Sequence, residues 1–199
     1  MGLDMYLESE AYVSKYFGPD ASEEQRVARL GTVLELCDEL HLPVEDRELG
    51  GISICTHAGY WRKANAIHAW FVRECQNGVD ECQRTYVELD KLEELREACT
   101  KIIESAKVND AEPTHVGDIW HKGEDGEVVH TPVVEGVQHL LDTSLAEELL
   151  PTQGGFFFGG TGYDVYYLAD LERTVAIIDR CKAAHEADPT ISFYYRSSW

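Results

Sequence analysis

Positive charge is what this sequence has least of. Only 17 Lys and Arg stand against 37 Asp and Glu in 199 residues, which leaves a net charge of −20. So acidic a chain repels phosphate backbones, and this excludes direct nucleic-acid binding as a general property. Long apolar runs are missing too: none approaches the roughly 20 residues a membrane helix needs. The opening Met1-Gly-Leu-Asp-Met-Tyr-Leu7 has neither a basic segment nor an apolar one, so it does not read as a secretory signal. Tyr6 occupies the place where a myristoylation signal at Gly2 needs Ser or Thr. The expectation is a soluble cytosolic protein with no membrane partner.

The motifs of the common site chemistries are lacking as well. There is no C-x-x-C, no H-E-x-x-H, no G-x-S-x-G, and no glycine loop ending in Gly-Lys-Ser/Thr. The six cysteines, at 37, 55, 75, 82, 99 and 181, are expected as reduced thiols. Cys37, Cys99 and Cys181 fall on the apolar sides of predicted helices, where cysteine behaves as a small hydrophobe. His115 and His121 lie in a polar, Gly- and Asp-containing stretch and read as loop residues rather than ligands. Neither a metal nor a cofactor is expected.

What is present is a core's worth of apolar residues, 44% of the chain, arranged with mixed periodicity. Strands are predicted over Leu3–Glu8, Ile52–His57 and Ile191–Arg196. Ser22, with Gln25 three residues on, forms a capping box that opens a helix. Val27, Leu30, Val33, Leu34, Cys37 and Leu40 supply its apolar stripe. Further helices are predicted over Gly59–Gln76, Asp90–Lys107, Glu135–Leu149 and Leu168–Ala187. Residues 108–132 read as a long loop or an irregular hairpin. Helices outnumber strands without alternating with them, so the expected fold is one α+β domain over residues 1–199, with a small, mostly antiparallel sheet and four to five helices.

Two segments stand out. Residues 57–73 hold Arg62, Lys63 and Arg73 with no acidic residue, whereas residues 1–56 carry 4 basic against 12 acidic residues. Read as a helix, this segment places Tyr60, Ala64, Ile67, Phe71 and Cys75 in the core. Trp61, Asn65, His68 and Val72 then form the adjacent stripe, so Asn65 and His68 sit on the border of the core, where a polar side chain serves either the fold or a ligand. The second segment, Leu150–Tyr167, carries five glycines between 154 and 162 together with three consecutive phenylalanines. Its Gly-Gly-Thr-Gly run offers backbone N–H groups to an anion, and equally fits a glycine-hinged turn packing aromatics on the core.

These strings carry a resemblance. The start Gly2-Leu-Asp-Met-Tyr-Leu7, the central Tyr60-Trp-Arg-Lys-Ala-Asn-Ala-Ile-His68 followed by Trp70-Phe71-Val72, and the C-terminal Leu150-Pro-Thr-Gln153, Phe156-Phe-Phe-Gly159 and Tyr163-Asp164 with Tyr166-Tyr167 resemble a family of small uncharacterised bacteriophage and prophage proteins. The resemblance implies an accessory phage protein acting in the bacterial host cytoplasm, expected to counter host defence by binding. Carried over with the motifs, Trp61, Arg62, Lys63, Asn65, His68, Gln153, Tyr163 and Asp164 are the candidate ligand-binding residues. Arg62 or Lys63 would pair with a phosphate, an aromatic would stack on a base, and Asn65 or Gln153 would read polar edges. The expected partner is a nucleotide-like small molecule or a host defence protein.

Two alternatives remain open. An acidic decoy would imitate DNA and inhibit a nuclease or nucleic-acid-guided complex, with Glu8–Glu10, Glu23–Glu24, Asp38–Glu39 and Glu45–Glu48 as its rows of carboxylates. A small-molecule phosphohydrolase would need a nucleophile or a metal, which no motif supplies, with Asp164 and His68 as its candidate acid–base pair.

Overall fold

The computed structural model describes residues 2–18, 21–44, 51–123, 125–155 and 158–199. Strand β1 (Asp4–Ser14) alternates as a half-buried strand should, with Met5 and Leu7 fully buried on one side. It pairs antiparallel with β2 (Gly51–Arg62) and with β6 (Ser192–Ser198). The short β3 (Thr85–Val87) adds to the far side of β6, giving the order β2-β1-β6-β3. The register slips once, where Leu7 faces Gly59 but Glu8 faces His57, so Ala58 is the extra residue of a bulge.

Helix α1 (Glu23–Glu39) opens with the capping box read from the sequence: Gln25 N–H donates to Ser22 Oγ at 3.3 Å, and Ser22 N–H donates to Gln25 Oε1 at 2.9 Å. Its apolar stripe is a correction. Only Leu30 is buried, while Val27 and Leu40 stay exposed. The helix lies at the margin against β1 and β2, tied to the body by Arg29 and Asp188 at 3.3 Å, instead of inside it.

Helices α2 (Asn65–Cys75), α3 (Leu89–Ser105), α4 (Ser144–Leu149) and α5 (Val165–Ala187) cover one face of the sheet around a single core. Ile67 and Phe71 of α2 meet Leu92, Leu95 and Ile102 of α3, Leu171 and Ile178 of α5, and Phe193 and Tyr195 of β6. Phe71 stacks on Tyr195 with ring centroids 4.0 Å apart. The thiols of Cys75 and Cys99 are pushed up to about 12 by burial, and that of Cys181 to about 11, so all three stay protonated and inert. All six cysteines are free.

Residues 108–132 contain a hairpin strand, β4 (Glu112–Lys122), bulged between His115 and Gly117 and paired with β5 (Val128–Val137). The predicted helix over Glu135–Leu149 is therefore corrected: its first residues finish β5, and only Ser144–Leu149 is helical. Pairing with β4 satisfies the backbone of a segment whose own periodicity was weak. The fold is α+β, with every strand pair among the described residues antiparallel. Among the described residues no helix is long and apolar enough to cross a membrane.

Candidate functional site

The site begins where β2 ends. The predicted helix over Gly59–Gln76 is overturned here, because Tyr60, Trp61 and Arg62 pair across the sheet with Tyr6, Met5 and Asp4. Aromatic cross-strand pairs of this kind stabilise a strand whatever the local helical period says. Strand alternation then separates neighbours. Trp61 is fully buried, its indole N–H donating to Thr174 Oγ1 at 2.9 Å, while Tyr60 and Arg62 face the other way and are exposed. Tyr60 thus leaves the core in which helical spacing placed it. Lys63 adopts a left-handed backbone, φ 61°, with its N–H closing on the Leu3 carbonyl at 2.8 Å. That conformation costs about 1–2 kcal/mol for a residue with a Cβ. It lets the chain turn from strand to helix within two residues and leaves Arg62 and Lys63 at the turn.

The glycine-rich segment is folded onto that turn by Asn65. Its Nδ2 donates to the carbonyls of Phe158 at 3.1 Å and Gly160 at 2.7 Å, and its Oδ1 accepts from Gln153 N–H at 3.0 Å. Gly159 between them has φ +86°, and a Cβ there would sit 3.0 Å from Lys63 Cβ. The side chain at 65 is thus committed to holding the loop. Phe156 and Phe157 lie outside the described residues; Phe158 is buried against His68.

Helix α5 closes the third side. Asp164 caps it, accepting from Tyr166 N–H at 2.9 Å and Tyr167 N–H at 3.0 Å. Farther along, Ile177 packs on Gly59 so closely that a Cβ would fall 2.6 Å from Ile177 Cγ2. A side chain at 59 would push α5 away from β2 and carry Arg173 with it.

Between these elements and the base of the β4–β5 hairpin lies a cleft of about 640 Å³, within the range usual for small-molecule sites. Arg62, Lys63 and Arg173 line it, and among the described residues their side chains make no hydrogen bond or ion pair. The acidic groups in the cleft are mostly spent. Asp164 is occupied with its cap, and Glu135 accepts from Tyr166 Oη at 2.9 Å. Asp170 is the exception: burial, with the nearby charge of Asp164 adding to it and Arg173 opposing it, pushes its carboxyl up to about 6. Tyr60 and Tyr166 supply partly exposed rings. An anionic group beside the cations, an aromatic ring over a tyrosine and a donor toward Asp170 are what this arrangement can accept.

The sequence candidates divide accordingly. Arg62, Lys63, Asn65 and Asp164 line the cleft, two as free cations and two as structural clamps. Trp61 belongs to the core. Tyr163 accepts from Thr152 N–H at 3.2 Å and packs on Tyr167, and Gln153 contributes its backbone to Asn65; neither lines the cleft. His68 is fully buried, with Nδ1 2.8 Å from Tyr195 Oη and Nε2 3.0 Å from Asp80 Oδ2. It does not line the cleft with Asp164, so the two do not meet there as an acid–base pair. Tyr60, Tyr166, Asp170 and Arg173 were missed. The helical period hid Tyr60, Tyr166 stood in the C-terminal motif without a role of its own, and Asp170 and Arg173 sit on a long helix that carried no local signal.

Of the proposed carboxylate rows, Glu8 and Glu10 are bound internally to arginines, Glu23–Glu24 and Asp38–Glu39 are exposed on α1, and Glu45–Glu48 lie outside the described residues. Among the described residues no group of His, Cys, Asp or Glu is placed to hold a metal ion. Compared with protein-family models, with curated proteins and with solved structures, the chain matches none.

Proposed function

We propose that the protein works by binding a small anionic, nucleotide-like ligand in the cleft, as an accessory phage protein that withholds such a molecule from a bacterial defence system. The observation that carries the binding step is the set of three cations, Arg62, Lys63 and Arg173, that line one cleft in a chain of net charge −20 and make no hydrogen bond or ion pair among the described residues. A protein with so many carboxylates has abundant means of pairing a cation internally, and it does so elsewhere. Cations kept free in a concave, half-enclosed place await an external anion. The role against host defence rests on the resemblance of the two end motifs and the central motif to phage proteins.

Calorimetric titration of the purified full chain with AMP, GMP and inorganic phosphate tests the binding. The expected result is a Kd for a nucleotide in the micromolar range, about −8 kcal/mol, weakened at least tenfold in Arg62→Ala/Arg173→Ala with unchanged circular dichroism. No heat from any of the three anions, or equal affinity in the double variant, overturns the reading.

A further inference from the structure

A second cleft, of about 390 Å³, adjoins the first. Tyr60 and Arg173 line both, and beyond them the second is lined by His57, Gly59, Ile177 and Arg180. Arg180 is exposed and, like Arg173, makes no hydrogen bond or ion pair among the described residues. The two arginines stand seven residues apart on α5, so they share one helix face about 10 Å apart along the axis. Gly59 beneath Ile177 keeps that face against β2. A row of cations, none hydrogen-bonded or ion-paired among the described residues, therefore runs from Lys63 and Arg62 through Arg173 to Arg180.

An aromatic ring marks the junction. The Tyr60 hydroxyl donates to Asp4 Oδ1, and its ring rests against Tyr6 with centroids 5.4 Å apart and a tilt of 47°. Held at both its hydroxyl and its ring, Tyr60 keeps 39% of its surface exposed. A fixed, open tyrosine between two cation-lined hollows is the arrangement that stacks a base and takes a phosphate on either side of it.

We infer that the two clefts form one groove for a ligand with two separated phosphoryl groups, a short dinucleotide. One phosphate pairs with Arg62 and Lys63, the other with Arg180, and Arg173 lies between them. The inference rests on the reading of the main cleft as an anion site and goes beyond it in ligand class.

Titration of the full chain with AMP and with the linear 5′-phosphorylated dinucleotide pApA tests it. The wild type is expected to bind pApA about tenfold tighter than AMP, the worth of one added charge-assisted contact. Arg180→Ala is expected to abolish that advantage while leaving the AMP affinity unchanged. Because Arg180 is exposed, the variant folds, and circular dichroism checks it. Equal affinity of the wild type for AMP and pApA overturns the dinucleotide inference and leaves the main cleft standing as an anion site. So does an Arg180→Ala variant that weakens both ligands alike. Failure of both ligands to bind overturns this inference, and with no heat from GMP or inorganic phosphate either it overturns the main-cleft reading as well.

Discussion

Two parts of the molecule bring arginines close to carboxylates and treat them in opposite ways. On the sheet face away from the helices, Glu8 accepts from Arg84 Nε at 2.8 Å and Arg196 Nε at 2.6 Å, and Glu10 accepts from Arg84 Nη2 at 2.8 Å. The two guanidinium groups also lie over tyrosine rings, Arg84 3.5 Å above Tyr194 and Arg196 4.3 Å above Tyr6. Burial alone would raise the Glu8 carboxyl, but the two arginines outweigh it and hold the group below the usual range. Around the cleft, Arg62, Lys63, Arg173 and Arg180 make no hydrogen bond or ion pair among the described residues, and Asp170 keeps a carboxyl raised by burial although the charge of Arg173 opposes it. The residue types are the same in both regions. What separates a charge that builds the fold from one that waits for a ligand is whether a carboxylate of the chain already pairs with it.

The sharpest test uses consecutive residues of β2 that face opposite ways. Trp61→Ala, in the core, is expected to cost about 3–5 kcal/mol in urea-induced unfolding, since it opens a cavity and strips Thr174 of its donor. Next in size is Glu8→Gln, expected to cost about 2 kcal/mol, below a fully buried pair because both guanidinium groups reach water. The sign follows from the lowered carboxyl. Its stabilisation is present above the unfolded value near 4.5 and is lost as pH falls below it, so wild type and variant should converge in acid.

Arg62→Ala should leave stability within about 0.5 kcal/mol and weaken nucleotide binding about tenfold, or 1.4 kcal/mol. A loss of stability as large as that of Glu8→Gln would erase the distinction between the two regions. The smallest effect is expected from Asp170→Asn. A carboxyl raised to about 6 costs stability as pH climbs from 3.8 through 6, so the variant should be more stable at pH 7 by about 1 kcal/mol and equal to wild type below pH 4. Thermal melts across that pH range read it directly.

Much of the frame was legible where the signal is local. Ser22 and Gln25 fixed the start of α1, and the apolar period of Leu92, Leu95 and Cys99 placed α3. The stretch Tyr60–Arg62 misled, because a helical period continues backwards from α2 into residues that cross-strand pairing with β1 claims. Nothing in a lysine announces the left-handed backbone that separates the two elements. The basic island at Arg62 and Lys63 was visible as composition, but Arg173 and Arg180 join it only because Gly59 lets α5 come down on β2. His68 read as a border polar residue, since its partners Asp80 and Tyr195 come from outside its helix.

The place of β6 in the sheet also bears on how the chain reaches this structure. It is the last strand in sequence yet sits between β1 and β3, and the contact from Arg196 to Glu8 spans 188 positions. The pairing of β1 with β2 can form early, but β3 has no route into the sheet until β6 arrives. Closing so long a loop before its contacts reward it is entropically slow, which predicts a late, rate-limiting docking of β6 and folding in the millisecond-to-second range. Until that step, the backbone edge of β1 from Asp4 to Glu10 stands open, and a chain caught there is exposed to pairing with its neighbours.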